Sequence, residues 1–171
     1  MTSDAILALL APPDASRSLD GIAGMLLAVL LATCGVIVVV DARERIIPDA
    51  CNVVVAALGL VFASRDGTVE ALAAAVQGSS ACLVLWAFRA LYRRLRGRQG
   101  LGLGDVKFLG AAGTWVGLGG LPPLILIACA VALAFLGLGR LRGHRITAHL
   151  ALPFGPFLVV GLFGALALRF A

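Results

Sequence analysis

The feature that most constrains this chain is the position of two aspartates beside long apolar runs. Asp41 directly follows the apolar stretch 21–40, and Asp105 stands just before another apolar stretch. An ionisable side chain at membrane depth is energetically expensive and is commonly functional where it occurs. We therefore look for the function of the chain in this pair of acids.

The composition indicates a membrane protein that crosses the bilayer several times. Of the 171 residues, 61% are hydrophobic and 13% are charged, whereas soluble domains have about 45–50% apolar and about 25% charged residues. We predict an all-α fold with a short N-terminal segment, 1–20, and one membrane domain, 21–171. The net charge of +5 comes from loop residues, so nucleic acid is not an expected partner.

Hydropathy predicts a polytopic helix bundle with about six transmembrane helices. The second and fourth spans are short for a hydrocarbon layer of ~30 Å, which takes about 20 helical residues. The 21 glycines predict closely packed helices, because small side chains let helices approach in lipid. Trp86 and Trp115 are expected to face lipid or the interface. The predicted spans are 21–40, 50–63, 71–92, 105–118, 121–139 and 152–170.

The distribution of basic residues predicts the orientation of the bundle. Most of the 14 Lys and Arg residues lie in loops on the side of Asp41 and Asp105. The positive-inside rule puts that side in the cytoplasm and both termini outside. We therefore expect an inner (cytoplasmic) membrane protein with both acids at the cytoplasmic face. The remaining basic residues, predicted outside, are Arg17, Arg65 and Arg169.

The cysteines and histidines do not have the spacing of metal ligands. The four cysteines lie singly in apolar surroundings, where a free thiol is commonly a small packing residue. The two histidines share a loop that offers them no acidic or thiol partner. We therefore predict no metal site and no cofactor. These residues are Cys34, Cys51, Cys82, Cys129, His144 and His149.

Two carboxylates at the same membrane face suggest acid–base chemistry on water. When such groups are close they do not both ionise readily, so the pair shares a proton near the working pH. One group then activates water while the other protonates a carbonyl, which hydrolyses a peptide without a metal. Gly102 and Gly104 would let an extended backbone approach and would permit φ values closed to other residues. Alternatively, Asp105 is simply the N-cap of a helix.

Three ordered segments resemble the prepilin peptidases, which are membrane aspartyl proteases of the GxGD type. The segments are Asp41 to Asp49 (DARERIIPD), Gly102 to Leu109 (GLGDVKFL) and Pro153 to Leu158 (PFGPFL). The resemblance implies that Asp41 and Asp105 are catalytic, and that the substrate is a pilin-type precursor with a short basic leader. It does not make Asp49 catalytic, and we assign that residue to a turn or cap after Pro48.

The resemblance is closer to the short peptidases of tight-adherence (Flp) pili and to archaeal preflagellin peptidases. The larger bacterial members have an N-terminal loop with paired cysteines, which is not seen here, and methyl transfer is therefore not expected. Gly102, Gly104 and Lys107 are the candidate substrate-binding residues, although Lys107 could instead hold an acid or contact lipid. Two other classes stay open, a proton- or cation-coupled transporter that uses the two acids and a structural subunit of a secretion machine.

Overall fold

The computed structural model describes residues 21–97, 100–142 and 153–170, and the described chain is helical. The prediction of an all-α membrane bundle is confirmed. The segment 1–20 and both histidines lie outside the described residues. The helices are α1 (Gly21–Glu44), α2 (Asp49–Ser64), α3 (Thr68–Arg96), α4 (Leu103–Leu141) and α5 (Gly155–Phe170).

Helix α4 is two helical segments that meet at Gly117. Gly117 has φ 69° and ψ 177°, a conformation that L side chains rarely adopt. Beyond the break the chain returns toward the start of α4, because Phe135 packs on Phe157 near the start of α5 with ring centroids 5.8 Å apart. The predicted fourth and fifth spans therefore form a helical hairpin that reverses at Gly117. With α4 counted as two segments, the described residues contain six helical segments.

Hydrogen bonds from side chains satisfy the backbone groups that this break leaves free. The Gln77 side-chain oxygen accepts from the Leu118 N–H at 3.0 Å, and the Arg169 guanidinium donates to the Trp115 carbonyl. A backbone group without a partner is costly at membrane depth. These two contacts explain how a non-helical residue is accommodated inside α4.

Close contacts at glycines hold α4 against its neighbours, as the small-residue content predicted. A Cβ at Gly59 would lie 2.0 Å from Thr114 Oγ1, and one at Gly78 would lie 2.8 Å from the Gly110 carbonyl oxygen. By length and composition, α1, α3 and α4 can cross a membrane, whereas α2 and α5 are shorter apolar helices. The chain is a multi-pass membrane protein in which α4 contacts α2, α3 and α5.

The two tryptophans have different environments. Trp86 is exposed on α3, in agreement with the expectation that it faces lipid. Trp115 is 1% exposed, so the same expectation was wrong for this residue. Its indole N–H donates to the Val55 carbonyl at 2.8 Å, and its ring packs against Phe62 with centroids 5.3 Å apart. A tryptophan can be buried in the bundle because the hydrogen bond to the Val55 carbonyl satisfies its polar N–H.

Candidate active site

A cavity opens where the end of α1 and the starts of α2, α4 and α5 converge. Its volume is about 520 Å³, and both aspartates line it. The sequence placed these acids on the same side of the membrane, and the structure brings them to one cavity. The other lining residues are Arg45, Ile46, Ile47, Asp49, Gly102, Leu103, Gly104, Lys107, Pro153 and Phe154.

Asp41 is buried in the last turns of α1 and is held by the start of α5. Its side chain is 5% exposed, and its Oδ2 accepts the backbone N–H of Gly155 at 2.7 Å. The first N–H groups of a helix lack intrahelical partners and carry partial positive charge, which favours a nearby carboxylate. The α5 N-terminus therefore fixes the orientation of the Asp41 side chain.

Asp105 lies in the first turn of α4 and faces the same cavity from the other side. It is not the N-cap residue, because the cap is Gly102. Its carboxylate instead reaches back to the Gly102 N–H, as an acid three residues after a cap commonly does. The alternative that Asp105 is simply the N-cap of α4 is therefore wrong.

The helices that carry the two acids do not pack against each other. Helices α1 and α4, both described in full, have no pair of Cα atoms within 8 Å. Asp41 and Asp105 nevertheless both line the same cavity. The two acids therefore share the cavity without direct packing of the helices that carry them.

Gly102 and Gly104 serve the site through their small size rather than their backbone angles. Gly102 has φ −63° and ψ 144°, and neither residue has a positive φ, so the expectation of φ values closed to other residues was wrong. A Cβ at Gly102 would lie 2.8 Å from Asp105 Oδ2, and one at Gly104 would lie 3.2 Å from the Cβ of Ile47. Gly102 leaves room for the Asp105 carboxylate, and Gly104 lets the α1–α2 loop approach α4.

Asp49 and Lys107 form an ion pair at the rim of the cavity. The Lys107 ammonium lies 2.7 Å from each of the two carboxylate oxygens of Asp49. The N-cap of α2 is Pro48, and no side chain among the described residues caps that helix. Asp49 therefore follows Pro48 in the first turn of α2, as expected from the sequence, but its side chain contacts α4 instead of capping its own helix.

The α1–α2 loop between the two motif acids has an unusual backbone conformation. Arg45 has φ 56°, which is the left-handed region and is uncommon for a residue other than glycine. The Arg45 N–H still donates to the Asp41 carbonyl at 2.9 Å, and α1 ends at Glu44, one turn after the acid. Ile47 is 5% exposed and anchors the same loop in the core.

Sequence reasoning missed two residues that shape the site. Gly155 was quoted only as part of the third segment, and nothing in that segment indicated that its N–H would bind Asp41. Arg89 lies inside the predicted span 71–92 and was given no role in the site, yet its Nε–H donates to the Leu101 carbonyl at 2.8 Å and so holds the chain just before Gly102. A charged residue inside a predicted span was the available signal.

The fold and the cavity together define a class, which is a multi-pass membrane protein with two carboxylates facing one cavity at a single end of the bundle. The chain belongs to the type IV leader peptidase family, whose model matches residues 28–138. The family resemblance drawn from the sequence is confirmed. The match includes both Asp41 and Asp105.

Several curated bacterial proteins are similar to the chain, and each is named a prepilin leader peptidase/N-methyltransferase. One from Burkholderia pseudomallei is 38% identical over 96% of this chain and 50% of its own length. One from Dickeya chrysanthemi is 38% identical over 75% of this chain and 44% of its own length. One from Aeromonas hydrophila is 33% identical over 71% of this chain and 41% of its own length. The chain thus spans about half the length of these relatives, and no solved structure matches it.

Proposed function

We propose that this chain is a membrane aspartic endopeptidase that removes the leader from type IV pilin-like precursors. The observation that carries the proposal is the convergence of Asp41 and Asp105 on one cavity in a chain of the type IV leader peptidase family. Family membership favours a peptidase over a transporter, and the transporter alternative is not supported. The names of the relatives support a prepilin as the substrate.

The proposed mechanism uses the two carboxyl groups on one water molecule. One ionised carboxylate removes a proton from water while the water oxygen attacks the scissile carbonyl carbon. The partner carboxyl group donates its proton to the carbonyl oxygen, which gives a tetrahedral diol. Collapse of the diol transfers a proton to the departing amine and restores the shared proton of the pair. General acid–base steps of this kind contribute roughly 10²–10⁴-fold each.

The cavity walls suggest how a peptide would be held. Gly102 and Gly104 line the cavity beside Asp105, and their backbone groups are not shielded there by side chains of their own, so an extended substrate backbone could lie along them. Lys107 lies on the same wall, and a lysine has three N–H donors, so its ammonium group can serve a substrate carbonyl as well as Asp49. We propose these three residues as the substrate-binding set.

The proposed location is the inner membrane, with the active site at the cytoplasmic face and both termini outside. This orientation is supported by the concentration of Lys and Arg on the side of the two acids. The hydrophobic helix of the precursor would lie in the bilayer beside the bundle, and its leader would remain in the cytoplasm. Methyl transfer is not part of the proposal.

The experiment that tests the proposal is cleavage of a precursor by the purified protein. The protein is mixed in detergent with a synthetic pilin-type precursor, and the products are identified by mass spectrometry. The proposal expects one cut between the basic leader and the hydrophobic helix. An intact precursor after prolonged incubation with folded protein would argue against it, as would cleavage that Asp41→Asn and Asp105→Asn both leave unchanged.

A further inference from the structure

The distance between Asp41 and Asp105 is not set by direct packing of α1 against α4, the helices that carry them. Helices α1 and α4 do not approach within 8 Å at their Cα atoms. On one side, the start of α5 holds Asp41 through the Gly155 N–H. On the other side, the chain that follows Asp41 turns back toward α4 through the α1–α2 loop. Whatever fastens that loop to α4 therefore influences the geometry of the pair.

Two contacts join the α1–α2 region to the first turns of α4. Ile47 packs against Gly104, where an added Cβ would lie 3.2 Å from the Ile47 Cβ. One turn of helix away, the Lys107 ammonium binds both oxygens of Asp49 at 2.7 Å. Lys107 is two residues after Asp105, and Asp49 opens α2. The ion pair thus connects the two motifs that contain the proposed catalytic acids.

The backbone conformation of the α1–α2 loop explains why its attachment to α4 matters for the cavity. Arg45 stands in the left-handed region with φ 56°, and a residue in a sparsely populated conformation persists only when its surroundings hold it there. Arg45 also lines the cavity beside Asp41. A loop released from α4 could relax at this residue, and the wall of the cavity would move with it.

We propose that Asp49 and Lys107 are positioning residues, whose ion pair fastens the α1–α2 loop to α4 and thereby sets the approach of Asp41 to Asp105. This role rests on the proposed function, since it is a role in that reaction. It differs from a direct substrate contact by Lys107, because it needs the pair and not the lysine alone. The pair is partly exposed, with side chains 39% and 70% accessible for Lys107 and Asp49, so the expected effects are modest.

The test compares single variants with a charge exchange. Asp49→Asn and Lys107→Met should each lower kcat for precursor cleavage by about two- to fivefold, the range that a partly exposed ion pair supports. Asp49→Asn should leave KM within about twofold, because it removes no proposed substrate contact. The exchange Asp49→Lys with Lys107→Asp should recover kcat to above that of both single variants, since it restores the pair with opposite polarity.

The controls separate this role from general effects of charge and from the proposed function. Glu44→Gln and Arg43→Gln change exposed charges of α1 that do not line the cavity, and they should keep wild-type kcat. Suppose that the wild type cleaves the precursor and Asp41→Asn does not. A wild-type kcat in Asp49→Asn would then overturn the positioning role and leave the proposed function intact. An exchange variant that inserts and unfolds like the wild type but is no faster than the single variants also overturns it. Absence of cleavage by the wild type would instead remove the proposed function.

Discussion

The contact between Gly155 and Asp41 gives the sharpest prediction about the site. A Cβ added at Gly155 would lie 2.8 Å from Asp41 Oδ2 and 3.0 Å from its Cγ. Gly155 has no positive φ, so an alanine there meets no backbone strain. The change Gly155→Ala therefore acts through contact with the catalytic candidate, while the N–H that binds Asp41 remains.

The size of the effect follows from the required displacement. An ordinary contact begins at 3.4 Å, so the carboxylate oxygen or the start of α5 must shift by roughly 0.6 Å, and a misplacement of about 1 Å can cost ~10²-fold in rate. We expect Gly155→Ala to lower kcat by about ten- to a hundredfold. The measurement is kcat and KM for cleavage of a synthetic precursor by purified protein in detergent.

A matched control lies on the same helix. A Cβ at Gly164 would come within 2.9 Å of Ile127 Cδ1, which is the end of a flexible side chain that can move aside. Gly164→Ala should therefore keep kcat within about threefold of the wild type. Wild-type kcat in Gly155→Ala, or equal losses in the two variants, would refute the reasoning that α5 orients Asp41.

Three further predictions concern the bundle around the site. Gly59→Ala should lower the free energy of unfolding by about 1–3 kcal/mol in thermal unfolding, because its Cβ would lie 2.0 Å from Thr114 Oγ1; unchanged stability would contradict the close contact of α2 and α4. Arg89→Met should lower the cleavage rate without loss of folded protein, because it removes a donor to the chain before α4; an unchanged rate would count against that hydrogen bond as a support of the site. Reporter fusions at Arg96 should give a cytoplasmic signal and those at Arg65 an external one; a common side for both would break the proposed topology.

The sequence predicted the helical spans and the meeting of the acids because both depend on patterns along the chain. Apolar run lengths gave the spans, and an even number of crossings between Asp41 and Asp105 puts them at one face. The reversal at Gly117 was predicted a few residues later, between 118 and 121, because hydropathy does not locate the residue whose backbone leaves the helix.

The contacts that shape the site could not be predicted in the same way. The pairing of Lys107 with Asp49 depends on how α2 and α4 lie against each other in three dimensions. The burial of Trp115 depends on a carbonyl of α2 that happens to face its indole N–H. The bond between Asp41 and Gly155 joins residues 114 positions apart. Each of these is a long-range contact, on which local composition and periodicity carry no information.

The measurement that tests the central claim most directly is the rate of single-turnover cleavage in Asp41→Asn, in Asp105→Asn and in the double variant. If the two carboxyl groups act as one unit on one water, each single variant should lose as much activity as the double variant, because groups that work together have strongly non-additive effects. All three folded proteins should show no cleavage above background. Full processing by either single variant, or losses that multiply in the double variant, would contradict the account.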